Sequence, residues 1–284
     1  MATFFNQATL TYNGIVANSN ITTGEIIEAI SATKTAAPST YGTESSIAYV
    51  ISIQNSGATP ITALTLSDDL GAYTFGSLTP VPLSYVDGSL LYYVNGVLQA
   101  TPAVLAGPPL SVSGINIPVG GNAVLVYQAV PNEFAPRAAD GSITNTVTIT
   151  GGGLSTPVTA SETVTASAEP ILTITKCLSP TTVVENGTLT YTFTIQNIGN
   201  TPAIATDNVV LSDTLNPILN PITVTYNGTV WTEGVEYTYD TVTGLFQTTA
   251  GQITVPAATY TQDPVTGAWN VVPGTATLTL TGTV

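Results

Sequence analysis

The chain has two lysines, and both stand at the same place in a repeated frame. Residues 34–70 read KTAAPSTYGTESSIAYVISIQNSGATPITALTLSDDL, and residues 176–215 read KCLSPTTVVENGTLTYTFTIQNIGNTPAIATDNVVLSDTL. Lys34 corresponds to Lys176, and Asp68 of one L-S-D motif corresponds to Asp213 of the other. Period-two counting puts Ile30, Ala32 and Lys34 on one face of a strand, and likewise Leu172, Ile174 and Lys176. Leu64, Leu66, Asp68 and Leu70 share a face, as do Val209, Leu211, Asp213 and Leu215. A third polar type falls among inward positions: Asn145 with Ile143, Val147 and Ile149, and Asn6 with Phe4, Ala8 and Leu10. An amine, a carboxyl and a carboxamide directed into apolar surroundings require a reason.

The plainer reason is a buried ion pair with an amide bonded to it, an arrangement that often only breaks even against desolvation. The chemical reason is a spontaneous Lys–Asn isopeptide bond. Burial favours the neutral amine, which can then attack the carboxamide, while the acid polarises the amide and carries the proton. In this reading Asp68 and Asp213 are the catalytic acids. Lys34–Asn145 is an intramolecular cross-link, and Lys176 needs an asparagine from elsewhere.

The elements that must hold these groups are strands. Thr, Val, Ile, Tyr and Gly dominate, no stretch shows helical periodicity with caps, and turn signals such as YVNGV and TYNGT separate short alternating runs. The fold class is therefore all-β, with two tandem immunoglobulin-like sandwiches. Their ends differ. In the first copy VGGNAVLVYQAV is followed by the strand SITNTVTITGG; in the second the matching VPGTATLTLTGTV reaches Val284 with no closing strand after it. A near-copy of the closing strand, FFNQATLTYNG, stands near the start of the chain. The expected order is a donor strand at 1–13, a linker at 14–29, a complete sandwich at 30–150, a linker at 151–169, and an incomplete sandwich with an acceptor groove at 170–284. Phe4, Asn6, Ala8, Leu10 and Tyr12 would enter the groove of the next copy by strand addition, bringing Asn6 to Lys176. Two other readings stay open: a disordered tail, and self-closure of the second sandwich by the same strand.

The frame K…P…Y…I-Q-N-x-G-x-T-P…L-S-D, with an Asn in (I/F)-x-N-x-(A/V)-T, resembles a repeat domain of unknown function in bacterial surface proteins. It is also similar to the collagen-adhesin-type immunoglobulin-like domains of Gram-positive pilins and adhesins. The resemblance covers nearly the whole chain and implies acid-assisted Lys–Asn bonds at Lys34, Asp68 and Asn145. At Lys176 and Asp213 the second copy lacks its own Asn.

Bulk composition narrows the function classes. Of 284 residues 17 are acidic, 3 basic and none His, a formal charge of -14, which disfavours nucleic acid or an anionic membrane as partner. There is no apolar run of bilayer-spanning length, and no signal peptide is visible. Cys177 is the only cysteine, expected as a buried or half-buried small residue. The chain carries no nucleophile motif, phosphate loop or metal-ligand set, and the acidic turn at 67–69 lacks the spacing of a calcium loop, so neither an enzyme acting on an external substrate nor a metal or cofactor is read. The expectation is a self-assembling extracellular fibre subunit on a cell or spore surface, a head-to-tail homopolymer whose anchor and tip proteins are not named by the sequence. The alternative is a monomeric surface adhesin whose N-terminal strand closes its own second domain and whose exposed loops recognise a ligand, with Trp231 and Trp269 as readily packing residues as ligand contacts.

Overall fold

Alternating runs rich in Val, Ile, Thr and Tyr favour strands with one dry face. The computed structural model, which describes residues 2–26, 29–42 and 45–284, is built of strands throughout; among the described residues there is no α-helix, only a 3-10 turn at Ala205–Asp207. No helix there is long and apolar enough to cross a membrane. By internal packing the chain divides into two units, one made of residues 1–73, 81–132 and 143–164, the other of 74–80, 133–142 and 165–284.

The first unit begins with a ribbon rather than a lone strand. Strand β1 (Ala2–Asn6) pairs antiparallel with β4 (Thr22–Ile26), and β2 (Thr9–Tyr12) pairs with β3 (Ile15–Asn18). The stretch expected as a linker, 14–29, therefore carries two strands, although its residues 27 and 28 lie outside the described ones. The cause is Asn13–Gly14, whose positive φ values of 45° and 78° make the mirror-type turn that suits the twist of a tight hairpin.

The sandwich of this unit follows: β5 (Ile30–Ala37), β6 (Thr40–Tyr41), β7 (Ile47–Asn55), β8 (Ile61–Asp68), β9 (Leu83–Tyr85), β10 (Leu91–Val94), β11 (Val97–Leu98), β12 (Ala103–Leu105), β13 (Leu110–Ile117), β14 (Asn122–Pro131), β15 (Ser142–Gly151) and β16 (Val158–Ala166). One sheet has the order β11-β10-β14-β7-β5, with β9 also on β14; the other runs β12-β13-β8-β15-β16-β6. Inward residues of both sheets, among them Tyr49, Ile51, Leu66, Leu125, Val147 and Val164, form the core. The stretch expected as a second linker, 151–169, thus contributes β16, and β15 is an inner strand between β8 and β16. First and last strands were expected side by side. Instead β5 and β15 lie in opposite sheets, so their side chains meet across the core.

The second unit holds β17 (Leu172–Ser179), β18 (Thr188–Asn197), β19 (Ser212–Thr214), β20 (Ile222–Tyr226), β21 (Thr229–Trp231), β22 (Tyr237–Tyr239), β23 (Leu245–Thr248), β24 (Thr259–Gln262), β25 (Trp269–Val272) and β26 (Gly274–Thr283). Its large sheet is β17-β18-β26-β20-β21, its small one β19-β23-β22, and β24 and β25 form a separate hairpin. Phe193, Leu211, Phe246, Leu278 and Leu280 lie in the core between the two sheets. Trp231 stacks on Tyr226 at 4.8 Å between ring centres, a packing role. Among the described residues no strand pairs with β19 on the side away from β23, the side on which the first unit's β8 takes β15.

Candidate functional site

In the first unit the alternation of three strands does what period-two counting predicts. Lys34, Asp68 and Asn145 are all buried, and the Lys34 side chain is 0% exposed. Lys34 comes from one sheet, and Asp68 and Asn145 come from the other. Lys34 Nζ donates to Asp68 Oδ2 at 2.6 Å. The same oxygen accepts from the Tyr127 hydroxyl at 2.7 Å, and Asn145 Nδ2 donates to the Tyr127 oxygen at 2.9 Å. Asp68 Oδ1 accepts from the Leu70 backbone N–H at 3.1 Å, which fixes the carboxyl plane. The result is a continuous hydrogen-bonded line from amine through carboxyl and phenol to carboxamide.

Two stacked tyrosines wall the amine. Tyr49 and Tyr127 have ring centres 5.5 Å apart, and Lys34 Nζ lies 5.0 Å from the first and 5.9 Å from the second. Removal from water lowers the Lys34 pKa below its ordinary value, only partly opposed by Asp68, and so favours the nucleophilic form. Burial pushes the Tyr127 phenol far up, so it stays protonated and able to pass a proton. The Asn145 carboxamide oxygen and the Tyr49 hydroxyl are both buried without a hydrogen-bond partner. An orphaned acceptor of this kind costs about 1–3 kcal/mol, and it sits on the carbonyl that an amine would attack.

Sequence reasoning named three of these side chains and missed Tyr127. The signal was available: Ala123, Leu125, Tyr127 and Ala129 alternate inward on β14, and only one of the four carries a hydroxyl. A Tyr127→Phe variant keeps the ring and removes the bridge between acid and amide. If the line of bonds carries a proton to the amide, intact-mass analysis of freshly made variant will find a fraction that has not lost ammonia, while the wild type has lost it fully.

The second unit places Lys176 and Asp213 as an ion pair in the corresponding position. Lys176 Nζ lies 4.3 Å from the Tyr191 ring centre and 5.4 Å from that of Phe193. Two things differ. First, the inward face of β17 is open: Ile174 is 54% exposed and the Lys176 side chain 39% exposed, and Asp213, expected to be inward, is partly exposed as well. Second, the tyrosine is gone. Tyr127 lies opposite Tyr49 in the first unit, and Leu280 lies opposite Tyr191 in the second, so an aliphatic side chain stands where the phenol would be. Cys177, expected to be at least half-buried, is exposed, because it faces away from the side that carries Lys176.

Asn6 sits at the end of β1, exposed, its carbonyl accepting from the Thr22 hydroxyl at 3.2 Å. The other residues read as a donor face are exposed too, Phe4 at 53% and Leu10 at 64%. Ala8 bonds back to Ser19, whose hydroxyl accepts from the Ala8 N–H at 2.9 Å, and Tyr12 closes the β2–β3 pair.

No protein-family model matches the chain, and no curated protein matches it. Solved structures similar to it include pilus backbones and collagen-binding adhesin domains, and also a transglutaminase of red sea bream at 13% identity and a TM-score of 0.30. The pilus backbone RrgB of Streptococcus pneumoniae is 12% identical with a TM-score of 0.35, over 86% of this chain and 55% of that one. The full-length major pilin SpaD of Corynebacterium diphtheriae has the same identity and TM-score, over 86% of this chain and 59% of that one. A collagen-binding domain from a Staphylococcus aureus adhesin is 12% identical with a TM-score of 0.30, over 50% of this chain and 99% of that one. The chain thus spans 55% and 59% of the length of these two pilin structures, and 41% of a full-length RrgB structure that it also matches.

Proposed function

We propose that the chain is a structural subunit of an extracellular fibre on a cell or spore surface, assembling head to tail by strand donation and locked by two kinds of Lys–Asn isopeptide bond. The observation that carries this reading is the contrast between the two lysine sites. One is a sealed set of amine, acid and amide; the other is a half-open amine–acid pair without an amide, while an amide at the matching position of an apolar strand stands exposed in the same chain.

Within the first unit Lys34 gives a proton to Asp68, and the neutral amine attacks Cγ of Asn145. A new C–N bond forms, the bond from Cγ to Nδ2 breaks, the proton held by Asp68 reaches the departing nitrogen through the Tyr127 hydroxyl, and the second proton of the attacking amine passes to the freed carboxylate of Asp68, which ends protonated. One ammonia leaves, and two costly buried polar groups become one amide. Between subunits Asn6 of one copy meets Lys176 and Asp213 of another, with the same balance of atoms. The acid serves as proton carrier in both places, and nothing but the chain itself is consumed.

A boiled denaturing gel tests the assembly. The wild type gives a ladder of covalent multimers, and Asn6→Ala collapses it to monomer while the first unit keeps its bond. A wild-type monomer that has lost two ammonias would show self-closure and overturn the fibre.

A further inference from the structure

If the fibre reading holds, on which this inference rests, we infer that the donor is not one strand but the preformed two-stranded ribbon β1–β4, and that it docks as a unit against two edges of the second unit of another copy. The pair β15–β16 is the first sandwich's own version of the ribbon, its ends at Gly141 and Ala166 falling just past the unit boundaries. There the Ala166 N–H donates to the Gly141 carbonyl at 2.8 Å, and the Thr144 and Thr163 hydroxyls bond at 2.8 Å, which fixes how β15 and β16 face each other. Aligning Asn6 with Asn145 puts Ala2 on Gly141 and Phe5 on Thr144. In the ribbon Ala2 pairs with Ile26 and Phe5 with Thr23, so the partner strand is matched at both points, Ile26 to Ala166 and Thr23 to Thr163. The connection between the matched points is one residue shorter in the ribbon. Two strands with the same register and the same amide position are a copy of the closing pair rather than a tail.

The side chains compensate as a pair. Phe4 faces Gly24 where Ile143 faces Val164, and the Phe4 ring lies so closely over Gly24 that a Cβ there would come within 2.3 Å of it. The large–small pair replaces the medium–medium pair at similar total volume, the way an aromatic covers a strand glycine. It also makes the second strand part of the apolar face that β1 would bring.

The acceptor offers two matching edges. In the first unit Val147 lies opposite Asp68 and Ile149 opposite Leu66, and β16 continues onto β6. Transferred to the second unit, Ala8 lies opposite Asp213 on the free side of β19 and Leu10 opposite Leu211, the residue just before that strand, and Thr22–Ile26 reaches the segment Thr182–Val184. That segment occupies the place of β6, yet it is in no strand and Val184 is exposed. One change is needed on docking: β15 runs unbroken, whereas the ribbon breaks at Gln7–Ala8, so this joint must straighten.

Thr23→Pro tests the ribbon while leaving Asn6, Phe4 and all of β1 untouched. A proline removes the Thr23 N–H, which either joins β4 to β1 or faces the new neighbour, so a two-strand donor is disabled in both cases. The expected result is loss of the covalent ladder, with the ammonia lost from Lys34–Asn145 showing that the first unit is intact; Thr23→Val, which keeps the strand, restores the ladder. A Thr23→Pro protein that polymerises like the wild type overturns the ribbon and leaves a one-strand donor. A wild type that forms no ladder overturns the fibre reading itself, and the ribbon with it.

Discussion

Asn145→Ala is expected to yield a first unit that has kept its ammonia and melts well below the wild type. The bond would close a loop of about 100 residues, worth roughly 4–5 kcal/mol if the chain-entropy treatment of disulfides carries over to an amide. For a unit of this size that corresponds to a fall of roughly 10–20 °C in Tm. The substitution leaves the Lys34–Asp68 pair in place, so the loss reports the cross-link rather than an exposed charge. It also creates a pH dependence that the wild type lacks. Burial lowers the Lys34 pKa below the ordinary 10.5, so between the folded and unfolded values the unfolded chain binds more protons. The variant therefore gains stability as pH rises through that interval and levels off above 10.5. With the proposed bond formed, the wild-type amine would be an amide and would not titrate. Intact mass, calorimetry and a pH series check all three parts, and a wild-type mass equal to the full composition would rule out the bond.

The second large effect is expected at Asp68. Asp68→Ala keeps both reacting side chains, yet the amine loses its proton acceptor at 2.6 Å and the phenol its anchor at 2.7 Å. No ammonia should be lost from this unit over days. The variant also leaves an ammonium buried without a counter-charge, a defect that costs about 3–5 kcal/mol when one partner of a buried pair is removed. Two penalties then fall on one unit, so it should be the least stable of the variants. Full ammonia loss in Asp68→Ala would show that the carboxyl is not in the reaction path.

The strand class and the three-residue site were legible because period two is strict where one face is buried: Lys34, Asp68 and Asn145 each fall between apolar neighbours two positions away. What the pattern could not place was sheet membership. Alternation tells which face a residue uses but not which strand lies beside it, so β5 and β15 were expected as neighbours when they belong to opposite sheets. The polar segment 151–169 looked like a linker because the outward residues of β16, such as Thr159, Ser161 and Thr163, hide two fully inward ones, Val164 and Ala166. The ribbon is announced only by Asn13–Gly14, a hairpin turn signal that stands at the end of the strand resembling β15, where a Gly equally suits the start of a linker. Tyr127 was passed over because a tyrosine in an alternating strand reads as packing until its hydroxyl is seen between Asp68 and Asn145.

The inward lysines have a consequence for digestion. Trypsin cuts only after Lys and Arg, and this chain has three such residues: Lys34, Arg137 and Lys176. Lys34 is sealed by the fold alone, before any chemistry, and a lysine acylated by asparagine no longer fits a protease pocket built for a free cation. On the fibre reading, the Lys176 side chain of a free subunit, 39% exposed, would be the site that trypsin can reach and that the cross-link would then remove. A surface built from cross-linked subunits would present few targets to the commonest basic-residue proteases or to amine-directed reagents, and loss of the cut at Lys176 would mark each joint as it closes.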